Sequence, residues 1–263
     1  MKKTVLFFFI FAVLVSTLTL PTQARTVGYR WYCKHVRDHV QPTLDKNLAF
    51  IEEYNAYYID HRHTDTNSDE KVIYLTFDAG YENGNVEKTL NILRDENVPA
   101  AFFVLQNLIY KNPDLVKRMV TEGHTVGNHT ARHKDMSNWA DEDVLKELRD
   151  LERIYRENIG EEMAKYYRPP EGVFSRENLA CLSKSGYKTV FWSFAYPDWD
   201  NSQQIAPEKA KKIILDNFHN GEVILLHPTS DTNVNILADI IHEAKAQGYR
   251  FGTLEELTGV DAG

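Results

Sequence analysis

The sequence predicts an α/β protein, a distorted (β/α)7-type barrel preceded by an N-terminal helical extension. Three observations favour this fold class. From residue 72 onward, short apolar runs rich in β-branched and aromatic residues alternate with longer amphipathic stretches. There are seven such runs, and repeated strand–helix units require parallel strands with helical crossovers. The chain has 263 residues, of which 43% are hydrophobic, and this is enough for one large domain.

The predicted elements follow one another along the chain in a regular order. The strands are expected at 72–77, 100–104, 124–128, 165–168, 188–195, 222–227 and 249–254, and the helices near 85–97, 112–122, 141–158, 175–185, 207–219 and 233–247. Asn112-Pro113 and Pro207-Glu208 are typical helix starts, and glycines such as Gly160 occur where helices should end.

Residues 25–71 precede this pattern and form an aromatic extension followed by a polar linker. Apolar residues between Leu44 and Tyr58 have helical spacing, which predicts a helix there. The remainder, 72–257, is expected to be the functional domain. Cys33 and Cys181 are the only two cysteines, and the sequence alone is compatible with a disulfide or with two separate buried thiols.

The first 24 residues have the layout of a secretory signal peptide. Lys2 and Lys3 precede an uncharged apolar stretch, and small residues occupy the positions before a cut after Ala24. The alternative is an uncleaved membrane anchor, for which the apolar stretch is short. Either interpretation places the protein outside the cytoplasm, in a secreted or extracytoplasmic location.

The charge balance excludes one class of partner. Lys and Arg number 30 against 38 Asp and Glu, which gives a net charge of −8. A nucleic-acid-binding protein needs a basic surface for the phosphate backbone, so we expect no nucleic acid partner. We expect the protein to be a monomer.

Ionisable side chains gather at the predicted strand ends. In a parallel barrel, active sites lie at the carboxyl ends of the strands. Five different strands end in or near such groups, namely Asp78, His129, His133, Arg168, Asp198 and His227. Each alone has an ordinary explanation as a turn, cap, surface or core residue. Together they predict an active site, in which His129 and His133 are candidate metal ligands.

Five short motifs carry a family resemblance. They are TFDAG (76–80), HTARH (129–133), RPPEG (168–172), Pro197-Asp198-Trp199 and Leu225-Leu226-His227. In this order they resemble the motifs of the polysaccharide deacetylases, also called the NodB-homology domain or carbohydrate esterase family four. Within that family the sequence around them is most similar to the N-acetylmuramic acid deacetylases, which form the δ-lactam of spore cortex peptidoglycan.

The resemblance implies a division of catalytic roles. Asp78 would be the general base that activates water, and His227 the general acid that protonates the departing amine. Arg168 would hold Asp78, and Asp198 would orient His227 and favour its charged form.

The same resemblance implies a substrate-binding surface. Trp199 and Leu225 would wall a pocket for the acetyl methyl group, and backbone N–H groups near Glu171 would contribute to an oxyanion hole. Glu171 stands where the family commonly has an aromatic residue, so its contacts with substrate are an open question.

A departure from the family pattern concerns the metal. The resemblance implies a divalent cation, with Zn²⁺ as the first candidate, bound by His129, His133 and an Asp that follows the general base. This chain has Ala79 at the third position. Three outcomes remain open from the sequence: a weakened but working metal site, water activation without metal, or a non-catalytic glycan-binding domain.

The expected function is therefore hydrolysis of the N-acetyl group of N-acetylmuramic acid in the peptidoglycan glycan strand, followed by δ-lactam formation. Ring closure needs a lactyl carboxyl free of its stem peptide, so we expect a muramoyl amidase to act first. The alternatives are a deacetylase of N-acetylglucosamine in peptidoglycan or chitin, and a glycan-binding module.

Overall fold

The computed structural model describes residues 28–64 and 70–259. The predicted signal peptide lies outside the described residues. Within the two described ranges, every helix is too short or too polar to cross a bilayer.

The described chain alternates strands and helices over most of its length. The strands are β1 (Gly28–Arg30), β2 (Ala56–Tyr57), β3 (Lys71–Ala79), β4 (Ala101–Val104), β5 (Thr125–Asn128), β6 (Tyr166–Tyr167), β7 (Val173–Ser175), β8 (Lys188–Val190), β9 (Phe194–Ala195), β10 (Glu222–Leu226) and β11 (Tyr249–Phe251). The α-helices are α1 (Asn85–Glu96), α2 (Gln106–Lys111), α3 (Pro113–Thr121), α4 (Asp141–Ile159), α5 (Arg176–Lys184), α6 (Pro207–Asp216), α7 (Asp231–Ala246) and α8 (Leu254–Leu257), and 3-10 helices cover Ala49–Tyr54 and Pro170–Gly172.

Nine strands form one curled parallel sheet, which confirms the predicted barrel class. The order is β2-β8-β6-β5-β4-β3-β10-β9, and β11 pairs with β3. Three residues, 191–193, carry the chain from β8, near one end of this order, to β9 at the other end. The two ends of the sheet therefore lie near each other, and the sheet curls into a distorted barrel.

Alternation along β3 separates two layers of packing. Ile73, Leu75 and Phe77 point outward into the large cluster shared with the surrounding helices. Val72 and Tyr74 point inward, where they meet side chains of β4, β6 and β10. Successive residues of a strand face opposite sides, so this register places Asp78 on the inner side and Ala79 with the outer layer. Ala79 is indeed fully buried in that outer cluster.

The N-terminal extension differs from the predicted helix. Its helical part is the 3-10 helix Ala49–Tyr54, which ends at Asn55 with a left-handed φ of 50°. The next residues form β2, which pairs with β8 as part of the barrel sheet. The extension has this apolar spacing because Leu48, Phe50 and Ile51 are buried in a separate core cluster. Their partners there include Phe174 and Phe191. The extension therefore completes the sheet and does not precede it as a separate helix.

Two other predicted elements differ in detail. The expected strand 188–195 is split into β8 and β9, because the chain leaves one sheet neighbour and joins another between them. A helix that the sequence pattern did not predict, α2, follows β4 directly. Cys33 and Cys181 are both free thiols, so they do not form a disulfide.

A buried carboxyl at the start of β10 predicts a stabilising substitution. Glu222 is fully buried; its Oε2 accepts from the His219 N–H at 3.2 Å, while Oε1 has no partner. Burial raises the pKa of Glu222 well above the ordinary value of about 4.5. At a pH above about 4.5 the carboxyl is ionised in the unfolded chain and stays protonated in the folded protein, so Glu222 lowers the free energy of unfolding as pH rises.

We therefore expect Glu222→Gln to raise the Tm by about 2–4 °C near neutral pH, equivalent to about 1 kcal/mol for a domain of this size. The gain should grow as pH rises from about 5 to about 8 in calorimetric scans. The exposed Glu177→Gln serves as control and should show no such trend. A Tm gain independent of pH would contradict the assigned cause.

Candidate active site

The side chain of Asp78 lies at the end of β3, on the inner side of the sheet. Its carboxylate has two close neighbours, the guanidinium of Arg168 and the imidazole of His129. Asp78 Oδ1 accepts a hydrogen bond from Arg168 Nη1 at 3.0 Å, and Asp78 Oδ2 lies 3.4 Å from His129 Nε2. Burial alone would raise the pKa of Asp78, but its electrostatic interactions with the His129 imidazole and with Arg168 and His227 outweigh burial and hold that pKa below its ordinary value. Asp78 is therefore ionised at neutral pH and has the form of a base.

The guanidinium of Arg168 is enclosed on every side. It is 0% exposed, and besides Asp78 it donates from Nε to Val190 O at 2.9 Å and from Nη2 to Phe191 O at 3.1 Å. The Cζ atom of Arg168 lies 4.2 Å from the centre of the Phe103 ring, which is a cation–π contact. We call these four partners the arginine cage. Because each of its three nitrogens donates a hydrogen bond, Arg168 has one orientation and so fixes Asp78.

The N-terminal extension supports the arginine cage from outside. Trp31 stacks on Phe191 with 4.4 Å between ring centres and donates from Nε1 to Trp192 O at 2.9 Å. Phe191 N–H donates to Tyr57 O of β2 at 2.7 Å. The two carbonyls that hold Arg168 thus belong to a segment whose position depends on residues far earlier in the chain.

The two predicted imidazole ligands lie side by side. The rings of His129 and His133 are 5.0 Å apart at an angle of 71°. The sequence spacing suggested one face of a local helix, but the segment is a turn in which Thr130 and His133 have positive φ values of 71° and 54°. Such a backbone is costly for a β-branched residue such as Thr130, and it is stabilised by Asn128 Oδ1, which accepts from Thr130 N–H.

The chemistry of His129 fits a cation. Its Nδ1–H donates to Arg168 O at 2.9 Å, which leaves the lone pair of Nε2 directed at a carboxylate oxygen of Asp78. Burial lowers the pKa of His129 to about 4, against the opposing charge of Asp78, so the ring is neutral at neutral pH. A neutral imidazole that donates its other N–H to a backbone carbonyl is the usual state of a metal-binding histidine.

A complete three-ligand centre is not formed. Within the described ranges, no group of three or more His, Cys, Asp or Glu side chains has metal-binding geometry. Ala79 supplies no ligand and its methyl group is buried in the outer layer. The residues therefore fit a cation held by His129 and His133 alone, a less constrained site than one with three protein ligands.

A second polar pair lies at the end of β10. His227 Nδ1–H donates to Asp198 Oδ1 at 2.7 Å, and the His227 backbone N–H donates to Asp198 Oδ2 at 2.8 Å. Burial lowers the pKa of His227, but the charge and hydrogen bond of Asp198 and the charge of Asp78 outweigh it and raise that pKa above its ordinary value. Asp198 therefore favours the protonated form of His227, which is the form that can donate a proton.

Asp198 is held by Asn233, a residue that the sequence pattern did not single out. Asn233 Nδ2 donates to Asp198 Oδ2 at 2.6 Å and to His227 O at 3.0 Å, and its Oδ1 accepts from the Tyr196 hydroxyl. Asn233 follows a Ser N-cap in the first turn of α7, so the sequence pattern assigned it no role beyond helix initiation. Its function arises from a contact between residues 35 positions apart.

The three predicted substrate-binding residues occupy different surroundings. Trp199 is 63% exposed, and its ring centre is 6.4 Å from that of His227. Leu225 is buried in β10, two residues before His227. Glu171 is exposed with a left-handed φ of 53°, and it pairs with Arg30 of β1 at 3.3 Å.

The arrangement separates a base from an acid. Asp78 is ionised and fixed by a permanent positive charge, while His227 is held in its protonated form by Asp198. Each also influences the pKa of the other. This pairing suits hydrolysis of an amide, which needs water to lose a proton and a poor leaving group to gain one.

A comparison with family models assigns residues 65–190 to the polysaccharide deacetylase model. Among curated proteins, the chain is 37% identical to the peptidoglycan-N-acetylmuramic acid deacetylase PdaA of Bacillus subtilis, over 86% of this chain and 84% of that protein. It is 33% identical to a peptidoglycan-N-acetylglucosamine deacetylase of Bacillus cereus, over 72% of this chain and 89% of that protein.

Solved structures give the same answer for the fold. The structure of Bacillus subtilis PdaA, a family 4 carbohydrate esterase, superposes with a TM-score of 0.81 at 36% identity, covering 88% of this chain and 97% of that one. A family 4 carbohydrate esterase from Bacillus anthracis gives a TM-score of 0.72 at 34% identity, covering 90% and 100%.

Proposed function

The chain belongs to the polysaccharide deacetylase family, and on that premise we propose that it removes the N-acetyl group from N-acetylmuramic acid residues of peptidoglycan. The chain is a hydrolase of peptidoglycan N-acetyl amides, as its named relatives are. The observation that carries the chemistry is the pairing of an ionised, arginine-held Asp78 with a protonated, aspartate-held His227 at one edge of the barrel.

The proposed reaction begins with a water molecule beside Asp78. Asp78 accepts a proton from this water as its oxygen attacks the acetyl carbonyl carbon, and Arg168 keeps the carboxylate oriented. The negative charge that develops on the carbonyl oxygen needs hydrogen-bond donors, and backbone N–H groups near Glu171 are our candidates.

The second half of the reaction breaks the C–N bond. His227 donates its proton to the nitrogen as that bond breaks, which yields acetate and a free amine. Asp198 keeps His227 charged and aimed, and Asn233 holds Asp198 in turn. At the cation site of His129 and His133, the chemistry that a divalent cation supplies is carbonyl polarisation and a lower pKa of bound water.

The muramic acid assignment has further consequences that we propose with it. The free amine can attack the lactyl carboxyl and form a six-membered lactam with loss of water. This needs a carboxyl that carries no stem peptide, so a muramoyl amidase would act first. We also propose a secreted or extracytoplasmic location, on the strength of residues 1–24, and a monomeric state.

The decisive experiment measures acetate release from glycan strands of peptidoglycan freed of stem peptides, without metal and with added Zn²⁺. Mass spectrometry should detect muramic δ-lactam. Chitin oligosaccharides serve as the competing substrate, because a Bacillus cereus relative deacetylates N-acetylglucosamine by name. Faster release from chitin would replace the muramic acid assignment, and no release from either glycan would overturn the proposal.

A pH dependence follows from the Asp198–His227 pair. The charge and hydrogen bond of Asp198 raise the pKa of His227, so Asp198→Asn should lower it. A general acid works in its protonated form, so the alkaline limb of the kcat/KM profile should move to lower pH by about 1 unit. Asp200→Asn, at a half-buried carboxylate two residues along the same loop, is the matched control and should leave the profile in place. An unmoved alkaline limb in Asp198→Asn would contradict the role of His227.

A further inference from the structure

Two exposed aromatic side chains stand beside the catalytic groups. Tyr81 is 45% exposed and Trp199 is 63% exposed. Tyr81 follows Asp78 by three residues, and Trp199 follows Asp198 directly. Single exposed aromatic residues are common on protein surfaces and need no explanation. Here two of the five large, exposed hydrophobic side chains in the described ranges lie on loops that leave the site itself.

The topology brings these two loops to one side of the site. Strand β10 lies between β3 and β9 in the sheet. The loop after β3 carries Tyr81 and the loop after β9 carries Trp199, so they flank the end of β10, where His227 is found. The ring of Trp199 is 6.4 Å from that of His227.

Hydrogen bonds tie the Tyr81 loop to both of its neighbours. The Tyr81 hydroxyl accepts from Asn201 Nδ2 at 3.1 Å, which joins it to the Trp199 loop. Asn83 Nδ2 donates to Thr229 O at 2.8 Å, which joins the same loop to the segment after His227. Tyr81 is therefore held in place by its hydroxyl while nearly half of its surface faces solvent.

We propose that Tyr81, next to Trp199, forms a binding subsite for a sugar ring adjacent in the glycan strand to the one that is deacetylated. A pyranose ring has a face of C–H groups that packs against aromatic rings, while its hydroxyl groups remain hydrated. The protein has a net charge of −8, which gives no long-range attraction to an anionic polymer. Binding must then come from close contacts of this kind.

The subsite rests on the proposed function only in requiring a glycan strand as substrate. Its test is the dependence of kcat/KM on substrate length, measured with N-acetylmuramic acid as a single sugar and with a peptide-free peptidoglycan hexasaccharide. We expect Tyr81→Ala to lower the ratio of kcat/KM on the hexasaccharide to that on the single sugar by about fivefold to tenfold. Tyr81→Phe keeps the ring but loses the hydrogen bond from Asn201, so it should retain most of the ratio.

The matched control is Tyr110→Ala, since Tyr110 is 54% exposed at the end of α2 and should keep the wild-type ratio. A Tyr81→Ala protein with an unchanged ratio, or with equal losses on both lengths, would overturn the subsite. If the wild type leaves muramic acid acetylated, the proposed function fails, and the ratio is measured with N-acetylglucosamine oligosaccharides. If neither glycan is deacetylated, hexasaccharide binding to wild type and Tyr81→Ala by tryptophan fluorescence decides.

Discussion

Asp78→Asn is expected to lower kcat for acetate release by about 10²–10⁴-fold, the usual contribution of a general base. The amide of Asn has nearly the same shape as the carboxylate but does not accept a proton from water at neutral pH. Arg168 can still donate to the Asn oxygen, so the arginine cage should stay intact and the fold should be retained. Steady-state assays on peptide-free glycan strands, with circular dichroism as the check on folding, provide the measurement.

Two further variants make this result decisive. Deamidation of the new Asn in Asp78→Asn would restore the carboxylate. Asp78→Ala removes the carboxylate and has no such reaction. Asp95→Asn makes the same chemical change at an exposed carboxylate of α1 and should leave kcat unaltered. Acetate release by Asp78→Ala at the wild-type rate would sink the assignment of Asp78 as the base.

Arg168→Met should combine a loss of stability with a loss of activity. Removing the fully buried Arg168 side chain leaves the Asp78 charge uncompensated, and breaking a buried ion pair in this way typically costs about 3–5 kcal/mol. Here the carboxylate of Asp78 and the carbonyls of Val190 and Phe191 would all lose a donor. Denaturant unfolding measures the first effect. The second should appear as a kcat reduced by about 100-fold or more, because the base loses the contact that orients it.

The controls for this prediction separate charge from geometry. Arg168→Lys keeps a positive charge but replaces a planar fork by a point charge, so it should restore little of the kcat. Arg153→Met breaks an exposed pair with Glu157 on α4 and should cost less than about 1 kcal/mol. If Arg168→Met unfolds at the same denaturant concentration as Arg153→Met, the arginine cage does not have the energetic importance assigned to it.

The order of strands and helices was predictable because periodicity in the sequence is local. The continuous apolar run of β3, which is buried on both faces, and a period near 3.6 along α4 each follow from which side chains meet the core. The gathering of catalytic groups was also accessible, since parallel strands present their carboxyl ends at one edge. Contacts between Asp78 and Arg168, and between His227 and Asp198, agree with this expectation.

What the sequence did not reveal depends on contacts between distant residues. The extension looked like a helix because the apolar residues between Leu44 and Tyr58 have helical spacing, yet the burial of Phe50 and Ile51 is due to partners near residues 174–191. Asn233 looked like a residue of a helix start, and only the fold places it against Asp198. The break between β8 and β9 is likewise set by which strands are neighbours, and one apolar run cannot encode that choice locally.

The support of Arg168 by Trp31 has a consequence for the order in which the molecule assembles. Trp31 reaches Trp192 across 161 positions of the chain, and β2 pairs with β8 across a similar interval. Contacts that close such long loops form late, because the entropy of loop closure must be overcome before they are gained. The outer layer can collapse around α-helices that are close in sequence, whereas the surroundings of Arg168 form only when the N-terminal extension meets residues 190–192. On refolding, activity is therefore expected to return after helical structure has recovered.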